Sequence, residues 1–232
     1  MRDTVLKFPF SERMFHNVNL ITWMILAFSG IIIYFGLIEE SSVKFWMDLH
    51  IYVAVLFTVN FVGFVVLNFD RFALMLRNLL IWDKDTFAWF KNFGGYPKKI
   101  FGINFGPEEV APQGRFNAGQ KPTYLFFIFM IFGLILTGWV LYALAPVVGK
   151  TTMVYMFYFH VWGSIIATVV ALFGHLPMAL LNKDDFKAMF GNGEVPLESA
   201  KEHSPKWLEN DPCYSKTIKE KLWDGHKIDW QK

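Results

Sequence analysis

The sequence predicts an all-α membrane protein: a bundle of four transmembrane helices with both termini cytoplasmic. Three observations carry this. The 232-residue chain is 54% hydrophobic and 18% charged, with 26 phenylalanines and a mean hydropathy of +0.33, too apolar for an ordinary soluble domain. Four apolar runs reach or approach the ~20 residues that a helix needs to cross a ~30 Å hydrocarbon layer. The cations are unevenly spread. Lys and Arg crowd the N-terminal flank, the segment between runs two and three, and the tail, whereas the other two turns hold one lysine each. The positive-inside rule then places both termini and the long loop in the cytoplasm, making this a multi-pass protein of a cell's inner membrane.

In order, residues 1–13 are basic but lack the apolar core and cleavage site of a signal peptide, so insertion is expected to rely on the first span. That span covers about 17–38 and holds Trp23 and the small pair Ser29-Gly30. A polar turn at 39–44 leads to span two, about 50–68, with His50 near its first turn and Gly63 inside. The cytoplasmic loop 69–121 interleaves Arg71, Arg77, Lys84 and Lys91 with Trp82, Trp89 and Phe90. Its first half reads as an interfacial amphipathic helix. Its second half, GGYPKKIFGINFGPEEVAPQGRFNAGQK, reads as ordered loop. Span three, about 123–145, carries Gly133 and Gly138; span four, about 153–181, ends beyond Pro177. The predicted domains are a transmembrane unit, 1–182, and a cytoplasmic tail, 183–232, with a short amphipathic helix near 184–190.

Function starts from exclusions. The chain shows no catalytic acid–base pair, phosphate loop or nucleic-acid motif. Its one cysteine, Cys213, excludes intrachain disulfides, an iron–sulfur cluster held by this chain alone, and CxxCH haem attachment. Any redox centre must rest on histidine or methionine. His160 and His175 lie fifteen residues apart in the apolar run YMFYFHVWGSIIATVVALFGHLP. On a helix that spacing rises ~22 Å and turns ~60° from alignment, placing the imidazoles near opposite edges of the hydrocarbon layer. Polar side chains are expensive there and point to function. Helix directions put His50 level with His160 on the outer side, and His16 level with His175 on the cytoplasmic side. Two pairs at two depths suit two b-type haems, each with one imidazole at either axial position. Gly30, Gly63, Gly133, Gly138 and Gly163 let helices and macrocycles approach. The plain alternative is a set of hydrogen-bonded structural histidines. Met153, Met156 and Met178 fit core filler better than axial ligation.

In FNAGQK, residues 116–121, Asn117 and Gln120 flank Gly119. Two amides at membrane depth suit the two carbonyls of a quinone; equally, Asn117 caps the helix that follows. Arg13, Arg115 and Lys121 are candidate partners for haem propionates or quinone oxygens, or part of a solvated basic flank. His203 and His226 read as solvated.

FNAGQK resembles the motif before helix three in the cytochrome b (gamma) subunits of membrane-bound respiratory formate dehydrogenases. RMFH at 13–16, FSG at 28–30, LH at 49–50, LTG at 136–138 and FKAMFGNGEV followed by HSPKW, within 186–207, keep the same order. The resemblance implies an outer haem on His50 and His160, an inner haem on His16 and His175, and a menaquinone site using Asn117, Gly119 and Gln120. It also implies an iron–sulfur subunit and a molybdenum or tungsten catalytic subunit on the outer face. This chain departs in having Asn17 where the family has tryptophan, a longer loop between helices two and three, and one extra residue between the helix-four histidines. That extra residue would rotate one ligand by ~100°, so helix four is expected to be irregular between Val161 and Pro177.

The sequence therefore predicts an electron-transfer subunit, not an enzyme by itself apart from a quinone site. It would pass electrons between the outer-face oxidoreductase and menaquinone or ubiquinone. The alternatives are a quinol-oxidising cytochrome feeding a hydrogenase or sulfur-compound reductase, and a haem-free anchor or transporter. Oligomeric state is open, a higher oligomer of the complex included.

Overall fold

The structure, a computed structural model, describes residues 3–210; Cys213 and His226 lie outside them. Four helices are long and apolar enough to cross a membrane: α1 (Phe10–Tyr34), α2 (Glu40–Leu67), α6 (Gln120–Ala143) and the continuous stretch Lys150–Leu181. The last comprises α7 (Lys150–Val170), a π turn (Ala171–His175) and α8 (Leu176–Leu181).

The chain forms two compact units. One unit, 11–69 with 125–181, contains the spanning helices. Its small packed centre is Met130, Leu134 and Ala167, joined by Trp23, Phe126 and Phe159. Phe28, Tyr52, Phe132, Tyr155 and Phe173 stand exposed. Such an apolar exterior is suited to lipid, where contact between helices depends on close packing and polar bonds. The polar bonds are present. Trp23 Nε1 donates to Thr168 Oγ1 at 3.1 Å, and Trp139 Nε1 to Thr58 Oγ1 at 3.0 Å. Asn60 Nδ2 donates to the Phe15 carbonyl and to Asn19 Oδ1, each at 3.0 Å. Thr22, Ser29, Thr58 and Thr137 return their hydroxyl protons to carbonyls four residues back, which satisfies them within their own helices.

Helix starts differ from the sequence expectation because helices run on past the apolar stretch. α1 begins at Phe10 rather than near 17, and α2 takes in the supposed polar turn, beginning at Glu40. His50 is thus in the third turn of α2, not its first, about 15 Å from the helix start.

The π turn is the expected irregularity of helix four. The Leu176 N–H donates to the Ala171 carbonyl, a five-residue step. The cause is local: Pro177 has no N–H to give the carbonyl four residues back, and its ring crowds that carbonyl. A π turn absorbs about one residue of a helix. The fifteen-residue interval therefore places side chains roughly as a fourteen-residue α-helical interval does.

Among the described residues, the other unit joins 3–10, 70–124 and 182–210. Within it, β1 (Thr4–Leu6) pairs antiparallel with β2 (Glu194–Pro196), a two-stranded sheet that the all-α prediction did not include. The loop 69–121 holds three helices: amphipathic α3 (Phe69–Leu80), α4 (Lys84–Trp89) and α5 (Tyr96–Phe101). From the tail come α9 (Lys183–Phe190), α10 (Leu197–His203) and α11 (Pro205–Asn210). Val5, Phe8, Ala188, Val195, Ala200 and Trp207 form the core. Lys7, 4% exposed, pairs with both Asp185 carboxylate oxygens at 2.8 Å. Arg115, 2% exposed, donates to the Lys7 carbonyl at 2.7 Å. So the loop, the tail and the N-terminal strand share one buried polar centre.

Candidate functional site

The spanning unit brings the four intramembrane histidines together as two pairs. His50 of α2 and His160 of α7 have ring centres 6.4 Å apart, their planes inclined by 72°. His16 of α1 and His175 of the π turn have ring centres 6.3 Å apart, inclined by 53°. A metal-bound imidazole nitrogen lies about 2 Å from the metal and roughly 1.1 Å from its own ring centre, so two imidazoles on opposite sides of one ion have centres about 6.3 Å apart. Both pairs fit that spacing. Neither ring of a pair donates to the other, and each pair spans two helices.

The His50–His160 pair opens on a cavity of about 380 Å³. Its walls are mainly apolar and aromatic, with Trp23, Phe57, Leu134, Trp139 and Phe157 among them. Ser29 Oγ lies 2.8 Å from His50 Nδ1, and Thr137 Oγ1 lies 3.1 Å from His160 Nδ1. A side chain at Gly30 would place Cβ 3.4 Å from His50 Cε1, and at Gly138 3.0 Å from His160 Cε1. Glycine is needed at Gly138 for that close approach. At the second pair, Asn17 Oδ1 lies 3.3 Å from His16 Nδ1, and the Phe127 ring centre is 5.7 Å from that of His175. The residue that departs from the family pattern thus supplies the acceptor for His16. Met153, Met156 and Met178 stand outside the group lining the cavity, and none belongs to the buried core; Met178 is exposed.

Of the other candidate residues, Arg13 is in α1 and the rest sit in the second unit. Asn117 and Gln120 form a reciprocal cap at the start of α6. The Gln120 N–H donates to Asn117 Oδ1 and the Asn117 N–H to Gln120 Oε1, both at 2.9 Å. The capping role left open by the sequence is therefore present. It occupies the two amide oxygens. Gly119 lies under Trp89: a Cβ there would come 2.9 Å from the indole. Gly94, in the left-handed region at φ 63°, lies on the same indole. Sequence reading treated Trp89 as interfacial bulk, whereas it is 6% exposed and locks two loop segments together. Arg115 and Lys121 also turn inward. Lys121 Nζ donates to the Ile81 carbonyl at 2.6 Å and to Thr86 Oγ1 at 3.0 Å. Neither is part of a solvated flank. His203 is about half exposed, 3.9 Å from Glu202.

Comparison with known sequences decides the family, because a profile of the prokaryotic cytochrome b561 family matches residues 7–192. The chain belongs to that family. It is 27% identical over 213 residues to the formate dehydrogenase cytochrome b556(fdo) subunit of Escherichia coli K12, covering 89% of this chain and 92% of the relative. It is 26% identical over 216 residues to the nitrate-inducible formate dehydrogenase cytochrome b556(Fdn) subunits of Escherichia coli K12 and Shigella flexneri, covering 88% and 89%. Family membership makes this a membrane cytochrome b for electron transfer, which sets aside the haem-free transporter. The imidazole pairs and apolar cavity are chemically suited to a b-type haem.

Proposed function

We propose that the chain is the di-haem membrane subunit of a formate dehydrogenase-like complex, exchanging electrons between an outer-face partner and a membrane quinone. The observation that carries this is the double pairing, His50 with His160 and His16 with His175, at ring separations of 6.4 and 6.3 Å. Each pair would hold one haem b, which when bound supplies one-electron storage. His50 and His160 would hold one such group, and the apolar walls around them would keep water from it. His16 and His175 would hold the other.

The relatives are named as formate dehydrogenase subunits, and an iron–sulfur subunit with a molybdenum or tungsten catalytic subunit is the partner proposed here. The termini and the second unit are placed in the cytoplasm on the distribution of cations. Quinone would bind at the start of α6. There the cap uses the oxygens of Asn117 and Gln120, so their NH₂ groups are the donors offered to quinone carbonyls. Proton uptake on that side, with electrons arriving from the other, would move charge across the membrane.

The test is purification with the accompanying subunits. Two b-type haems per chain, reduced by formate and reoxidised by a quinone analogue, are expected. Haem-free folded protein would refute the ligand assignment. Two haems that formate leaves oxidised would refute the partner alone.

A further inference from the structure

The hydroxyl and glycine contacts of the His50–His160 pair form one device used twice. Ser29-Gly30 on α1 meets the imidazole of α2, and Thr137-Gly138 on α6 meets the imidazole of α7. We propose that Ser29 and Thr137 are positioning residues that fix the tautomer of His50 and His160 and tune the reduction potential of the haem they hold. The proposal rests on the haem-ligand reading above.

The number of protons on each hydroxyl decides which partner it can serve as donor. A hydroxyl has one. Ser29 Oγ gives its proton to the Ile25 carbonyl at 2.7 Å, so toward His50 Nδ1 at 2.8 Å it can only accept. Nδ1 must then carry the hydrogen, and Nε2 keeps its lone pair. Thr137 repeats the arrangement: its proton goes to the Gly133 carbonyl at 2.7 Å, and it accepts from His160 Nδ1–H at 3.1 Å. Both hydroxyls are held in place from behind, since Ser29 is 0% and Thr137 5% exposed. The glycine that follows each one sets the tilt, because its backbone lies against the Cε1 edge of the ring.

An Nδ1–H that donates a hydrogen bond pushes electron density toward Nε2 and makes it a stronger donor to a metal. A stronger donor favours ferric over ferrous iron. Removing the acceptor should therefore raise the potential of the His50–His160 centre and leave the His16–His175 centre where it was. A hydrogen bond's net worth corresponds to a factor of about 3–10 in the ferric-to-ferrous ratio at fixed potential, tenfold being 59 mV for one electron.

Ser29→Ala, Thr137→Val and Thr137→Ser in the intact complex test this by potentiometric titration of the visible bands, with low-spin ferric EPR of each centre. The expected result is full haem content, one component shifted upward with an altered EPR signal in Ser29→Ala and Thr137→Val, and the original value in Thr137→Ser. Should Thr137→Val lose its haem, retention in Thr137→Ser supports the hydroxyl's role, and loss in both overturns it. Unchanged potentials with both haems present also overturn it. Absence of haem from the unsubstituted complex is a different failure and refutes the ligand reading itself.

Discussion

The two histidine pairs share a ring separation and differ in almost everything around it. His50 and His160 are each held by a hydroxyl from a neighbouring helix and look onto a cavity of about 380 Å³. His16 faces an acceptor from its own helix, Asn17, at 3.3 Å, and His175 sits in a π turn against Phe127. One pair is met by a hydroxyl from outside each histidine's own helix; at the other, His16 has the Asn17 oxygen of its own helix and His175 the Phe127 ring of α6. The ring separation is thus common to the two pairs, whereas the contacts behind the rings differ and set the two sites apart.

On the di-haem proposal, the largest effect expected from breaking this comparison is loss of one haem of two. His50→Ala should reduce haem content from two per chain to one and leave the component assigned to His16–His175. His175→Ala should leave the other. Pyridine haemochrome content with the split α-band checks both, and loss of neither component would refute the pairing. Next comes Gly138→Ala, whose Cβ would meet His160 Cε1 at 3.0 Å. It should displace the ring and lower occupancy at that site alone, by several-fold.

Two smaller effects keep both pairs intact. Gln120→Glu preserves the capping oxygen and removes the amide donor, whereas Gln120→Ala removes both. If the amide serves quinone, both should slow quinone reduction several-fold at full haem content. Slowing in Gln120→Ala alone assigns the residue to the cap. The smallest effect concerns Asp83, which caps α4 and pairs with Lys206 at 2.6 Å. The Lys206 hydrogen bond, with those from Thr86, holds the Asp83 carboxyl well below the usual carboxylate range, against a burial effect that raises it. A depressed folded-state pKa contributes stability at pH above about 4 that is lost only as pH falls through the depressed value. Asp83→Ala should therefore cost about 1 kcal/mol at pH 7, mainly through the lost cap, and the difference should vanish only in strong acid. Thermal melts across pH check it, with unchanged haem spectra expected.

The spanning helices, the four histidines and the irregular stretch of helix four were all legible, since each leaves a local mark: an apolar run, a polar residue within it, a proline at 177. What was hidden depends on distant partners. β1 and β2 are three residues each and separated by almost the whole described chain, so neither has a pattern of its own. Lys7 reads as part of a basic flank, and Arg115 as a propionate or quinone partner or a solvated cation, because their acceptors, Asp185 and a backbone carbonyl, come from other segments. Helix starts were placed late because hydropathy marks the lipid boundary, not the helix boundary. Ser29 and Thr137 did have a signal, a hydroxyl before glycine in two different spans. Its meaning required knowing which histidine each one meets.

The π turn has one more consequence. In a straight α-helix the angle between two side chains is dictated by the number of residues between them, so two ligands on one helix cannot be aimed independently. The wider turn at Ala171–His175 works as a vernier between them. His175 can be brought to face His16 without turning His160 away from His50, and the lengths of the flanking segments can drift by a residue without costing either site its partner.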